Sequence, residues 1–279
     1  MGRLIVLSHY QAAELLNARG QTQAEVSLDL GLTRDVVALD SAGVSWEGRR
    51  LDWKQLEKIK KSERKCFRWE EDGLHEIRIL SEETAWVRSL APTPSAPTML
   101  VSGFPMHRIK DTDPWRDTEA KIKACGKIHG RVLDTATGLG YTAVLAGRKA
   151  DSVVTIDIDP AGIEIARQNP WSQELFDNPK IEQRIGDVVE LVQEFAAGEF
   201  SLVIHDPPTV QFAGEMYSEE FYRSVYRVVS RTGKFFHYIG DPKSGLGSRM
   251  TEGVMKRLKA AGFKKVTRQP DAFGVLAEK

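Results

Sequence analysis

The sequence predicts an α/β protein in which an open, mostly parallel sheet follows a small α+β domain. Three observations carry this. Residues 131–140, Arg-Val-Leu-Asp-Thr-Ala-Thr-Gly-Leu-Gly, read as a short apolar strand ending in an acid, then a small-residue loop with two glycines. The next six residues, Tyr141-Thr142-Ala143-Val144-Leu145-Ala146, open a helix. Beyond them strand and helix patterns alternate, as a parallel sheet covered on both faces requires. Before them, the stretch Ala91-Pro92-Thr93-Pro94-Ser95-Ala96-Pro97 reads as a linker, because its prolines cannot continue a helix or a central strand. The expected domains are therefore residues 1–100 and 101–279.

With 279 residues, 41% of them hydrophobic, the chain has room for one large core and a smaller one. Formal net charge is zero, so there is no global basic field of the kind that drives non-specific nucleic-acid binding, although a local patch remains open. Cys66 and Cys125, the two cysteines, lack C-x-x-C spacing, which argues against a zinc site and a disulfide scaffold, and no metal is expected. The absence of a signal pattern or a long apolar run gives a soluble, cytoplasmic expectation with no membrane partner.

In the first domain, Leu4 to Leu7 and Gln11 to Ala18 suggest a strand and a helix. Short strands follow at Ala24 to Leu28, Val36 to Leu39, Val44 to Trp46, Cys66 to Trp69 and Glu76 to Leu80. A helix from Asp52 carries Trp53, Leu56 and Ile59. Another is expected from Ser81 as N-cap, although Thr84 stands where a capping box needs Glu or Gln. Lys54, Lys58, Lys60, Lys61, Arg64, Lys65 and Arg68 form a cationic cluster; the interspersed Glu57 and Glu63 favour a solvated helix face over a polyanion-binding patch. The mixed basic, acidic and aromatic stretch from Val101 to Trp115, with His107, is either a lid over a ligand or a connector. A helix-like run from Asp117 to Cys125 follows.

The glycine loop admits two ligand classes. Gly138, Gly140 and Ala143 formally fit G-x-G-x-x-G/A, which would set a dinucleotide pyrophosphate at the helix N-terminus. Asp134, however, sits where the phosphates would approach, and like charges in a poorly solvated site repel strongly. A ligand with a cation there and no phosphate fits better, and S-adenosylmethionine (SAM) is such a ligand. Val153 to Asp157 is a second strand ending in an acid, about 20 residues on, where ribose hydroxyls are held. Asp159 reads as an N-cap before Pro160 and a helix from Ala161 to Gln168. Ile181 to Ile185 leads to Gly186-Asp187, placed to accept from an adenine amino group, with the Val188 N–H meeting a ring nitrogen. Phe200 to Ile204 ends in His205-Asp206-Pro207-Pro208-Thr209. The expected cofactor-binding set is Asp134, Ala136, Gly138, Gly140, Tyr141, Thr142, Asp157, Ile158, Gly186, Asp187, Val188 and Asp206. Ligands in open α/β sheets sit outside the carboxyl ends of the strands, where these residues fall. A helix from Glu219 to Val229, a strand from Lys234 to Tyr238, a helix from Glu252 to Ala261 and strands from Phe263 to Arg268 and Val275 to Glu278 complete the pattern. Gly240 to Ser248 reads as a mobile rim loop, with no helix start after Lys243-Ser244.

Together these marks resemble class I SAM-dependent methyltransferases over about residues 105 to 279. More narrowly, the order of Met106 to Trp115, Asp134 to Thr142, Asn169-Pro170-Trp171-Ser172 and His205 to Pro208 resembles a group of predicted, mainly archaeal methyltransferases with a small N-terminal domain. The resemblance implies a Rossmann-like sheet of seven strands with one antiparallel strand near the C-terminus. Ala136 departs from it, standing where the family usually has the first glycine of its loop. Asp206-Pro207-Pro208 resembles the Asn/Asp-Pro-Pro-aromatic turn of amino-group methyltransferases. There the acid or amide and the first proline's carbonyl accept from a target amine and align its lone pair with the sulfonium methyl. Thr209 replaces the aromatic, so a stacking platform would have to come from Phe212 or Tyr217.

The leading expectation is thus a SAM-dependent methyltransferase acting on an amino nitrogen, with Asp206 and Pro207 holding the acceptor and His205 as candidate base. His237 carries a similar, weaker expectation, and Tyr141 and Trp171 are candidate site walls. The acceptor is a small amine, RNA or protein, and a homodimer is possible. Three alternatives stay open: an aminopropyltransferase using decarboxylated SAM and a polyamine, an NAD(P)-dependent oxidoreductase, and a SAM- or RNA-binding module without catalysis.

Overall fold

A computed structural model describes residues 3–210 and 213–279. The chain divides into two compact units, residues up to 115 with 161–173, and residues 116–160 with 174–279. The division falls later than the expected boundary at residue 100, and the proline stretch explains why. Val87–Ala91 and Thr98–Val101 pair antiparallel, so the prolines occupy the loop of a hairpin, where missing N–H donors cost nothing. Thr93 Oγ1 closes that loop by donating to Ala96 O at 2.8 Å.

Residues 3–113 of the first unit form three small antiparallel sheets and two helices, and Leu7, Leu15, Val44, Leu51, Leu56 and Trp69 are buried together in its core. Helix Trp53–Lys60 starts where expected. Asp52 accepts from Gln55 N at 2.7 Å while Gln55 Oε1 accepts from Asp52 N at 2.9 Å, a reciprocal capping box. Trp53, Leu56 and Ile59 are buried along one stripe, and the neighbouring lysines are exposed. Lys65 pairs with Glu76, Arg68 with Glu70, and Arg64 donates to Gly103 O. The helix expected at Ser81 does not form. Residues 82–86 are the short connection between strands Arg78–Leu80 and Val87–Ala91, and Ser81 Oγ instead accepts from Thr84 N at 3.1 Å. The stretch 101–115 also belongs to this unit. His107 Nδ1 lies 3.0 Å from Thr98 Oγ1, and the Trp115 ring is 5.3 Å from that of Trp171.

The second unit holds the seven-stranded sheet: β1 Arg131–Asp134, β2 Ser152–Asp157, β3 Ile181–Ile185, β4 Phe200–His205, β5 Val229–Tyr238, β6 Lys265–Gln269 and β7 Gly274–Glu278. The strand order is β3-β2-β1-β4-β5-β7-β6, with β7 antiparallel to both neighbours and every other pairing parallel. This is the Rossmann-like sheet the sequence leads one to expect. Register aligns the carboxyl ends: Asp134 stands beside Thr155 and Ile204, Asp157 beside Ile185, and His205 beside His237. Phe200, Phe221, Tyr222, Val225, Phe235 and Leu258 are fully or almost fully buried in the core cluster on this sheet. After β5 the chain does not stay irregular as expected. Ser244 N-caps helix Gly245–Ala261 by accepting from Gly247 N at 2.9 Å. Cys66 and Cys125 are buried free thiols, both pushed up by burial, Cys125 to about 12. Among the described residues no helix is long and apolar enough to cross a membrane.

Candidate active site

The loop after β1 is shaped by its backbone. Gly138 and Gly140 have φ of 52° and 77°, a region that costs little only for glycine. A Cβ on Gly138 would meet nothing within 4 Å, so that residue borders open space, whereas one on Gly140 would lie 2.5 Å from Leu175 Cδ2. A Gly140→Ala protein is therefore expected to lose roughly 1–3 kcal/mol, from the left-handed backbone and the collision together, read as a lowered thermal midpoint. Tyr141 and Thr142, expected at the cofactor, are buried, as is every residue of helix Tyr141–Gly147. Ala136 is half-buried in the loop.

Asp134 is fully buried at the end of β1. One oxygen, Oδ2, accepts from Thr155 Oγ1 at 2.8 Å, and Thr155 Oγ1 in turn lies 2.7 Å from Thr137 Oγ1. Because Thr155 spends its proton on the carboxyl, Thr137 is the donor in that second bond. The other oxygen, Oδ1, is buried with no hydrogen-bond partner among the described residues. Burial pushes the Asp134 carboxyl up to about 8, opposed by the hydrogen bond from Thr155 and reinforced by the negative charges of Asp206 and Asp157. A buried acid with one orphaned oxygen fits a ligand that brings a cation.

Asp157 accepts from Gly138 N at 2.9 Å on Oδ2 and from Asp159 N at 3.0 Å on Oδ1. Beside it Ile158 is 58% exposed, a large apolar side chain at a strand end. Gly186 has a φ of 152°, and Asp187 N-caps helix Val188–Leu191, accepting from Val189 N at 2.8 Å, with Val188 buried at the first helical position. The expected adenosine-side residues thus line the ends of β2 and β3.

The end of β4 holds two surprises. His205, the candidate base, is fully buried: its Nε2 faces Met216 O at 3.1 Å and its Nδ1 faces Thr135 Oγ1 at 2.6 Å. A carbonyl only accepts, so Nε2 carries the proton and Nδ1 accepts from Thr135. Burial pushes His205 down to about 3. With both nitrogens engaged inside the fold, His205 is corrected to a structural residue that ties β4 to the turn at Met216. His237 is likewise buried, held down well below the usual histidine range by burial, with Nε2 2.8 Å from Tyr222 Oη. Tyr217 is buried and donates to Pro208 O at 3.0 Å, which removes it as a stacking platform; Phe212 lies outside the described residues. Trp171 donates to Leu30 O at 3.1 Å within the first unit, so its ring position is set by that unit's packing.

The second surprise is Lys121, which the sequence reading passed over. On helix Pro114–Ala124, Asp117 and Lys121 are one turn apart, and the Lys121 Nζ is 2.9 Å from Asp117 Oδ2 and 2.6 Å from Asp206 Oδ2. Its ammonium also lies 4.2 Å from the centroid of the Tyr238 ring. The Lys121 side chain is 3% exposed, while Asp206 retains 18%. Burial opposes the lysine's charge, but Asp206 and Asp117 outweigh it and raise its pKa. The i, i+4 spacing was visible in the sequence; the burial of that helix face was not. Pro207, next in the chain, is buried.

The sequence profile of the spermine/spermidine synthase domain matches residues 139–265. An uncharacterized protein of Methanocaldococcus jannaschii is 44% identical over 192 residues, 68% of this chain and 66% of that one. The polyamine aminopropyltransferase of Aeropyrum pernix is 33% identical over 135 residues, 45% of this chain and 43% of that one. The chain thus spans just under two thirds of the first relative and less than half of the second. Among solved structures, a spermidine synthase in complex with the transition-state analogue AdoDATO superposes with a TM-score of 0.59 at 19% identity, over 75% of this chain and 77% of that one. Spermidine synthase from Thermotoga maritima gives 0.56 at 20% identity, over 72% of each chain. At such identities the likeness is one of fold. The expectation of methyl transfer is overturned by the sequence matches, which run to aminopropyltransferases: the chain has the Rossmann-like class I methyltransferase-type fold, and its sequence similarity lies with the spermine/spermidine synthase domain.

Proposed function

We propose that the protein transfers an aminopropyl group from decarboxylated SAM to a small amine. The observation that carries this reading is a coincidence of place. The stretch similar to the spermine/spermidine synthase domain, residues 139–265, contains the strand ends bearing Asp157, Asp187 and Asp206. The charge of the site supports it: Asp134, Asp157 and Asp206 gather at one sheet edge, which suits a donor carrying a sulfonium and an ammonium and disfavours one carrying phosphates. The Lys121 ammonium is committed to Asp117 and Asp206, so it does not serve a carboxylate on the donor.

In this reading Asp157 accepts from the ribose hydroxyls, Asp187 from the adenine amino group, and Ile158 lies against the adenine face. The backbone of Ala136, Gly138 and Gly140 borders the donor, and the orphaned Asp134 Oδ1 takes its ammonium. Asp206 Oδ1 and the Pro207 carbonyl accept from the acceptor's N–H groups and aim its lone pair. The amine attacks the propyl carbon bonded to sulfur and the C–S bond breaks. Methylthioadenosine leaves with the electron pair, and the new secondary ammonium loses its extra proton to solvent. Positioning supplies most of the rate, because the sulfonium is already a good leaving group. The test is incubation with labelled decarboxylated SAM or labelled SAM and a set of diamines and polyamines. Release of methylthioadenosine with label in a longer polyamine is expected; turnover with SAM alone would overturn the proposal.

A further inference from the structure

The Lys121 triad is an unusual companion for an amine-binding carboxylate. An amine acceptor must arrive at Asp206 with a free lone pair, yet carboxylates in a dry site draw protons onto an amine and so remove its nucleophilicity. Among the described residues the charges around Asp206 include Lys121 and Asp117 from helix Pro114–Ala124 and Asp134 from β1, with the phenols of Tyr217 and of Tyr238 on β5 beside them. Lys121 is the one cation among these groups. It binds Asp206 through Oδ2 alone, at 2.6 Å, and the remaining exposure of Asp206 leaves the other oxygen for a ligand.

We propose that Lys121 is a positioning residue for the acceptor: it turns Asp206 so that Oδ1 meets the amine, and its positive charge opposes protonation of the bound amine and of Asp206 alike. The proposal rests on the aminopropyl-transfer reading for its catalytic consequence. Its electrostatic content stands on the triad alone. Removing the cation moves both ionisations the same way, so the rising limb of activity shifts to higher pH. Removing Asp117 leaves Lys121 to serve Asp206 alone, and the limb shifts to lower pH.

The experiment compares the wild-type protein with Lys121→Met, Lys121→Arg and Asp117→Asn, using decarboxylated SAM and putrescine. Lys121→Met is expected to lose about 10- to 100-fold in kcat/KM for putrescine at neutral pH and to move the limb up by about one pH unit. Methylthioadenosine, measured by calorimetry, should bind all four proteins within about threefold, since the triad faces the acceptor side. Asp117→Asn should move the limb down, and Lys121→Arg should restore the wild-type profile. Titration of carbon-13-labelled aspartate carboxyls by NMR, with Asp206→Asn for assignment, reads the same effect without turnover. If the wild-type protein transfers no aminopropyl group, the functional reading fails and the NMR arm still decides the role of Lys121. A Lys121→Met protein that is slow but keeps the wild-type pH profile and the wild-type Asp206 titration overturns the proposal. If that variant does not fold, an Asp117→Asn protein whose Asp206 titration stays in place does so instead.

Discussion

An Asp206→Ala protein is expected to bind methylthioadenosine within about threefold of wild type while losing roughly 100- to 1,000-fold in kcat, the usual scale for removing one group that orients a reacting atom. The split follows from position. Asp206 stands at the end of β4, while the adenosine-side residues Asp157 and Asp187 stand at the ends of β2 and β3, beyond β1. Folding should not obscure the result. Without Asp206 the Lys121 ammonium still has Asp117 at 2.9 Å, so the substitution leaves a one-to-one buried pair instead of an unpaired charge. Retention of wild-type kcat would remove Asp206 from the chemistry.

Asp134→Asn should change the pH dependence of both stability and donor binding. The folded, unliganded protein holds this carboxyl at about 8, against an ordinary value of 3.8. Between those values the folded state binds a proton that the unfolded chain has released, so stability falls as pH rises through that window. Above about 8 both states are ionised and the full penalty is present, on the order of 6 kcal/mol at most. The asparagine variant should lack this decline, which thermal melts across the window would reveal. A cationic donor must ionise Asp134 to pair with it. Wild-type affinity should therefore climb up to about tenfold per pH unit until about pH 8, with release of one proton. Calorimetry in two buffers of different ionisation enthalpy measures that proton. The variant should bind more weakly, with no pH slope; equal affinity and equal slope would take Asp134 out of the donor site.

Much of this site was legible because its elements are local. A strand ending in an acid, a small-residue loop and a helix start lie within a dozen residues around Asp134, and the spacing to Asp157, Asp187 and Asp206 follows from alternating strands and helices. What escaped depends on pairing at a distance. The prolines between Ala91 and Pro97 look the same in a linker and in a hairpin loop until Val87–Ala91 finds Thr98–Val101. His205 has the chemistry of a base in any sequence, and only the partners Thr135 and Met216 withdraw it. Lys121 reaches Asp206 across 85 residues. The choice between methyl and aminopropyl transfer was invisible at the strand ends for a chemical reason. Both reactions break a carbon–sulfur bond of an adenosyl sulfonium, and they differ in which carbon the amine meets and in whether the donor has kept its carboxylate.

The burial of both thiols makes the protein a convenient scaffold for spectroscopy. Alkylating probes need a thiolate, and burial denies one to Cys66 and to Cys125. An Ile158→Cys substitution then presents a single reactive sulfur, on a side chain 58% exposed beside Asp157. A fluorophore or spin label placed there would read nucleoside docking directly, on native protein, with neither of the two natural cysteines needing replacement.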